Sequence, residues 1–325
     1  MPTTILASDY NTERDYVNLV LGIAATGSTP TYGYGQSFTT NGVLGTRANA
    51  ANPSAASKVT AQNYQDLYID LIRARAHQVG SAQAISDFVV GDYDTNTATA
   101  DKIEAAYLAG LQALRTNIST DRFLVDPPNL SVTALSNGSS VRPSGSAWNG
   151  SISHILTMSF TSHAARCHFF NSGGQIRFAA SVGYTGSQAK TVDWQTILNS
   201  MGTTSFKAQS TNNNASVGTD SNIGNYGLTN SYQLLYTRDG GAVYANNEYR
   251  IYAANLSSTV ITFKVEFVDG SANDPSYGID ETVYGQFNST IQSARANSTI
   301  NINGTVYNGV IIETDPIAAN IRNLS

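Results

Sequence analysis

The stretch Ser162–Ser181 reads SHAARCHFFNSGGQIRFAAS. It gathers the single cysteine, Cys167, with two of the four histidines, His163 and His168. A thiolate and two imidazoles are ligands that zinc accepts, and a thiolate beside an imidazole is the pair a cysteine nucleophile uses. Zinc sites draw their ligands as converging close pairs, and no partner pair stands elsewhere in this sequence. The stretch reads as a strand running into a turn. Neighbouring residues of a strand point to opposite faces, so Cys167 and His168 are expected to diverge. Asn171, Ser172, Gly173 and Gly174 supply the left-handed backbone of a hairpin turn. Phe169 and Phe170 are then expected on opposite faces, both covered. The stretch predicts a structural hairpin, with no metal ligands and no catalytic residue.

Other chemistry-bearing patterns are thin. Asp92, Asp94 and Asn96 alternate as in a calcium loop. The central glycine is missing, and Ile103 stands where the bidentate glutamate belongs, with Glu104 one place late. A capped turn is the expectation. The glycine-rich YGYGQ, residues 32–36, has no lysine and no strand before it, which argues against a phosphate cradle. Asp280 and Glu281 are adjacent and point apart in a strand. Nucleophile-elbow, Walker, HExxH and dinucleotide fingerprints are absent. No cofactor is expected.

The 325 residues suffice for one large or two medium domains. Only 13% are charged, about half the usual ~25%. Asn, Ser, Thr, Gly and Ala take up the difference. A neutral polar face is cheaper to desolvate than a charged one, which suits contact with other protein. The net charge of −5 and the lack of a basic run predict no nucleic-acid partner. No apolar stretch approaches the ~20 residues of a membrane span, so no membrane partner is expected. MPTTILASDYNTERD lacks the pattern of a secretory signal. The sequons at Asn129, Asn149, Asn214 and Asn288 therefore read as accidents of composition.

These residues need elements to position them. Three helices are predicted before residue 125. The first is capped by Ser8 or Asp9, ends at Gly22 and carries Tyr16, Val17, Val20 and Leu21 on its apolar side. The second, opened by Thr60 and stopped by Gly80, carries the stripe Tyr64, Leu67, Tyr68, Leu71 and Ile72. The third starts near Thr99 with Ile103, Tyr107, Leu111 and Leu114. Pro127 and Pro128 mark a border, after which the apolar period changes from 3.6 to 2. Ile152/His154/Leu156/Met158/Phe160, Ile176/Phe178/Ala180/Val182 and Ile261/Phe263/Val265/Phe267 each share one strand face, with Lys264 and Glu266 opposite the last. SYQLLYTR and EYRIYAA add two strands. Asp193 caps a short helix that turns Ile197, Leu198 and Met201 inward. Residues 209–230 read as a long surface loop, and two more strands fall around Thr299–Ile302 and Val306–Glu313. The fold class is α+β: an N-terminal helical region, 1–125, for docking and oligomerisation, then a C-terminal antiparallel β-sandwich, 126–325, with one inserted helix.

The stretch HFFNSGGQIRFAAS resembles a motif of virion structural proteins from tailed bacteriophages, notably cyanophage-type phages with contractile tails. ILASDYNTERDYVNLVLG, YGYGQ and RARAHQVG are similar to the same proteins, as is, more loosely, IDETVYGQF. The resemblance touches residues 5–80 and 150–182. It implies a structural component of the tail, neck or baseplate region, assembled in the host cytoplasm and carried in the virion. It brings no catalytic residue. Other phage virion proteins and further copies of the chain are the expected partners, a glycan is a possible one, and the chain is not expected to be an enzyme. Two rival readings stay open. One is a receptor- or carbohydrate-binding module that uses residues 209–230 with Trp194. The other is a polysaccharide-degrading enzyme that uses Asp239, Glu248 or Glu266.

Overall fold

A computed structural model describes residues 7–21, 61–81, 105–271, 282–297, 299–302, 305–308 and 315–325. Among the described residues the N-terminal part holds α1 (Ala7–Leu21), α2 (Ala61–Val79) and α3 (Ala105–Thr120). The stripe of α2 is buried as its spacing predicts, and Gly80 ends the helix at φ 73° with its N–H on the Ala76 carbonyl. Leu111, Leu114 and Ile118 of α3 are buried. The caps expected at Thr60 and Thr99, Ile103, Gly22 and residues 22–60 lie outside the described residues.

Helix α1 buries Val17 and Leu21 as expected but leaves Val20 half-buried and turns Tyr16 outward. Tyr16 is 49% exposed, while Tyr10, Glu13, Val17 and Leu21 are buried. A carboxylate sits in the buried stripe because Arg115 of α3 reaches it at 2.9 Å. The same guanidinium stands 4.7 Å from the Tyr16 ring centre. Tyr10 meets Tyr64 edge to face at 5.0 Å. An apolar-period reading finds Val17 and Leu21 but passes over Glu13 and takes Tyr16 in its place.

The chain divides into two compact units. One comprises Met1–Ser131, Cys167–Gly174 and Arg295–Thr314; the other comprises Val132–Arg166, Gln175–Ala294 and Asp315–Ser325. In the first unit, α2 is buried around its circumference from Leu67 to Gln78, polar residues included. Asp70 faces Arg73 at 3.7 Å, Arg75 pairs with Asp121 at 2.6 Å, and Gln78 donates to the Ile118 carbonyl at 2.9 Å. Burial of polar groups is tolerated where partners replace water.

Burial pushes the His77 imidazole down to about 3 and the Glu13 carboxyl up to about 7. On Glu13 the neighbouring Arg115 offsets only part of the desolvation. Their pH effects oppose each other. Between pH 6.5 and 3 the unfolded chain protonates His77 and the folded chain does not, so His77 costs stability as the pH falls. Between 4.5 and 7 the folded chain keeps a proton on Glu13 that the unfolded chain releases, so Glu13 costs stability as the pH rises. Comparing wild type with His77→Leu by urea unfolding isolates the first effect. The difference should move against the wild type by about 1.4 kcal/mol per pH unit below 6.5. A pH-independent difference would contradict the neutral buried imidazole.

Among the described residues the second unit is a sandwich of two five-stranded sheets. Its strands are β1 (Leu130–Arg142), β2 (Gly150–Ser159), β3 (Gln175–Gly183), β4 (Thr204–Phe206), β5 (Thr211–Asn213), β6 (Gln233–Asp239), β7 (Asn247–Asn255), β8 (Val260–Asp269) and β9 (Gln286–Ala296). Strands β10 (Thr299–Ile302) and β11 (Thr305–Asn308) pair with each other as a hairpin in the first unit, and β12 (Ile317–Arg322) returns to the sandwich. The sheet orders are β1-β9-β3-β4-β5 and β12-β2-β8-β7-β6. In register, Leu156 of β2 pairs with Phe263 of β8, and Phe178 of β3 with Ile291 of β9. The period-2 faces predict the core directly: Ile152, His154, Leu156, Met158, Ile176, Phe178, Phe263, Val265 and Phe267 are all buried. Across the layers, Phe263 meets Phe178 and Phe206 at 5.3 Å each, and Phe267 meets Phe287 at 5.7 Å. Each such ring contributes roughly 1.5–3 kcal/mol by leaving water. The α+β class is therefore the observed one.

Candidate functional site

The Cys/His stretch folds otherwise than its strand reading. Residues His163–Asn171 form helix α4. Ser162 caps it, its Oγ accepting the Ala165 N–H at 3.0 Å. At the other end the Gly174 N–H bonds the Phe169 carbonyl at 2.9 Å and the Gly173 N–H bonds the Phe170 carbonyl at 3.1 Å. With Gly173 at φ 84°, this is a Schellman stop. A Cβ on Gly173 would also lie 2.6 Å from the Val125 Cβ, so both backbone and packing require glycine there. The double glycine stops a helix instead of closing a hairpin.

The helix changes the geometry. In a helix, His163 and Cys167 stand one turn apart, and Cys167 and His168 differ by about 100° instead of facing opposite ways. Phe169 and Phe170 do not flank a sheet; their rings meet at 5.0 Å and 84°. Cys167 is fully buried, a setting in which a thiol packs as a small apolar group. Among the described residues, no three of His, Cys, Asp and Glu come together as a metal site. Strand β3 follows at Gln175, with Ile176, Phe178 and Val182 inward as the alternation predicts and Ala180 only half-buried.

Arg166, buried on α4, holds loops of the second unit. Its Nε donates to Asn225 Oδ1 at 2.7 Å, and its Nη1 donates to Asn255 Oδ1 at 2.7 Å and to the Ser257 carbonyl at 3.0 Å. Residues 209–230 are consequently more than a surface loop. They contain β5 and a 3-10 turn at Asn225–Gly227; Thr211 bridges Ser221, Thr219 bridges Thr237, and Thr211, Asn213 and Asn225 are buried.

A second helix of the sandwich unit, α5 (Ala189–Asn199), starts four residues before the expected cap. Asp193 lies inside it and accepts the Gly241 N–H at 3.0 Å. Ile197 and Leu198 are buried as expected, and so is Met201 just past the helix end. Trp194 is fully buried, 5.7 Å from Trp148 and 5.9 Å from Phe287. It packs in the core and cannot line a ligand surface with residues 209–230.

Of the three carboxylates of the hydrolase reading, Glu248 and Glu266 form ion pairs on the outer side of the second sheet. Asp239 is the register partner of Glu248, and Arg250 that of Glu266. Arg250 contacts Glu248 and stands 4.0 Å from Glu266, which Lys264 holds at 3.2 Å. Lys264 lies 4.3 Å from the Tyr252 ring centre. Each of Glu248 and Glu266 faces a cation, the arrangement of a sheet-surface charge ladder. Asp92, Asp94, Asn96, residues 32–36, Asp280 and Glu281 lie outside the described residues.

A concave feature of the sandwich unit lies elsewhere. A cavity of about 640 Å³ opens where β3 ends and β9 begins, lined by Tyr184, Tyr284, Thr185, Ser144, Gln286 and two glycines, Gly183 and Gly285. Gly183 and Gln286 are register partners, so the cavity sits at the end of the β3–β9 ladder. Gly285 has φ 95°, and a Cβ there would come within 3.0 Å of the Gly183 carbonyl oxygen. Composition alone hides this site, because its two tyrosines stand a hundred residues apart in the sequence.

No family model matches the chain, and no curated protein or solved structure does.

Proposed function

We propose that the protein is a structural component of a tailed-phage particle, in the tail, neck or baseplate region, where copies assemble symmetrically and meet other particle proteins. The resemblance of residues 5–80 and 150–182 to phage virion proteins supports the setting. The observation that carries assembly is the edge of β1. Among the described strands this 13-residue strand ends its sheet; it contains no lysine and no proline, and has one charge, Arg142, at its last position. Long uncharged edges are templates for pairing unless something covers them.

The exposure pattern of β1 has a two-fold character. Val132, Ala134 and Ser136 are exposed in the first half, and Asn137, Ser139 and Val141 in the second. Asn137, at φ 60°, shifts the alternation by one and brings both sets to the same side. Antiparallel self-pairing centred between Ser136 and Asn137 sets Val132 opposite the second copy's Val141, Ala134 opposite Ser139, and Ser136 opposite Asn137. Every exposed residue then faces an exposed one. A self-complementary patch is what a two-fold contact needs. The test is the protein content of purified particles: peptides of this chain are expected in several copies per particle.

A further inference from the structure

We infer that the cavity at the β3–β9 end of the sandwich binds a neutral, hydroxyl-rich ligand of the size of a short oligosaccharide. This inference does not depend on assembly, since the site lies within one copy. The lining side chains are two phenols, two hydroxyls and one carboxamide. These groups donate and accept hydrogen bonds without carrying charge, and the phenol rings add flat apolar faces. A sugar ring presents the same mixture: hydroxyls around its rim and C–H groups on its faces. An anion or a cation would leave water here and find no opposite charge among the lining residues. The volume of about 640 Å³ falls within the roughly 300–1,000 Å³ of small-ligand pockets.

The site is held in shape before any ligand arrives. The Tyr184 carbonyl accepts from Gln195 Nε2 at 2.8 Å, and its hydroxyl accepts the Gln188 N–H at 3.4 Å. Gly186 lies so close to that ring that a Cβ there would sit 2.4 Å from the hydroxyl. The Tyr284 N–H donates to Thr191 Oγ1 at 3.0 Å, while Gln188 bonds both Thr191 and the Thr282 carbonyl. Val283, next to Tyr284, exchanges backbone bonds with Trp148 at 2.7 and 3.0 Å. Trp148, Trp194 and Phe287 close the core beside it. A pre-ordered aromatic site loses little freedom on binding. Tyr284 is still 39% exposed, so a ligand can reach its ring.

The experiment is saturation-transfer NMR and calorimetric titration of the full chain. The probes are maltotriose, cellotriose, mannotriose and lacto-N-triose, with sialyllactose as the charged comparison. At least one neutral trisaccharide is expected to bind with Kd at or below about 1 mM, and sialyllactose at least tenfold more weakly. Tyr284→Ala and Gln286→Ala, both on exposed side chains, should each weaken binding about tenfold or more with unchanged thermal unfolding. Tyr232→Ala, at an exposed tyrosine just before β6, should leave it unaltered. If Tyr284→Ala lowers the melting temperature, Tyr284→Phe and Gln286→Ala decide the matter, with binding kept by the first and lost by the second. No neutral sugar binding with Kd at or below about 1 mM, sialyllactose binding as tightly as the neutral sugars, or binding that survives both Tyr284→Ala and Gln286→Ala would overturn the inference.

Discussion

Val132→Lys combined with Val141→Lys is expected to separate the copies, and Val132→Lys combined with Val141→Glu to bring them back together. The two valines are 46% and 53% exposed and fall opposite each other in the self-paired edge. In the Lys/Lys variant the contact carries two like-charged pairs related by the two-fold axis, and like charges placed opposite on neighbouring strands repel. The association constant should fall by tenfold to several hundredfold, about 1.4–3.5 kcal/mol. The Lys/Glu variant makes each pair opposite in sign and should restore association to within about tenfold of wild type. Light-scattering mass against concentration reads all three proteins, with 34.5 kDa as the unit. Salt should narrow the gap between the variants, because exposed charges are screened. A wild-type chain that stays monomeric, or a Lys/Glu variant as dissociated as Lys/Lys, removes β1 self-pairing from the account.

Lys190→Met should destabilise the sandwich by about 3–5 kcal/mol, and Asp269→Asn by a similar amount. Lys190 Nζ lies 3.1 Å from Asp269 Oδ2, and both side chains are fully buried. Removing one partner leaves the other charge in the interior without the ion that made burial tolerable. Removing both together, as Lys190→Met with Asp269→Leu, takes away the charges as well as the attraction. The double variant should therefore recover at least half of the larger single loss. Tryptophan fluorescence during urea unfolding follows this unit, since Trp194 stands one turn from Lys190 on α5 and Trp148 packs against it. Losses that simply add in the double variant would show that the pair is not coupled.

The sequence carries some of this architecture openly. The α2 stripe and the alternation of β2, β3 and β8 are periodic over eight or more residues, and each buries the side its period predicts. Failures arise where local chemistry competes with period. Cys-His-Phe-Phe alternates nowhere, and Asn-Ser-Gly-Gly serves a hairpin or a helix stop equally well. The deciding signal for α4 was Ser162, an N-cap standing three residues before Ala165, followed by the helix-forming Ala-Ala-Arg run. On α1 the stripe catches Val17 and Leu21 but misses Glu13, because its partner, Arg115, is distant in the sequence. Polar text in 209–230 reads as loop, although the buried Thr211 and Asn213 bond backbone and side chains as a short strand edge must. The cavity is the least legible feature. Ser144, Tyr184 and Tyr284 converge only after β1, β3 and β9 have paired, and no local spacing announces that.

Placement of the chain in a phage particle rests most directly on counting. Quantitative mass spectrometry of density-purified particles, calibrated with labelled peptides of this chain and of the major tail proteins, measures copies per particle. The account predicts an even number well above one, constant between preparations and resistant to washing in high salt. Copy numbers far below one per particle, or peptides lost in the first wash, would contradict it.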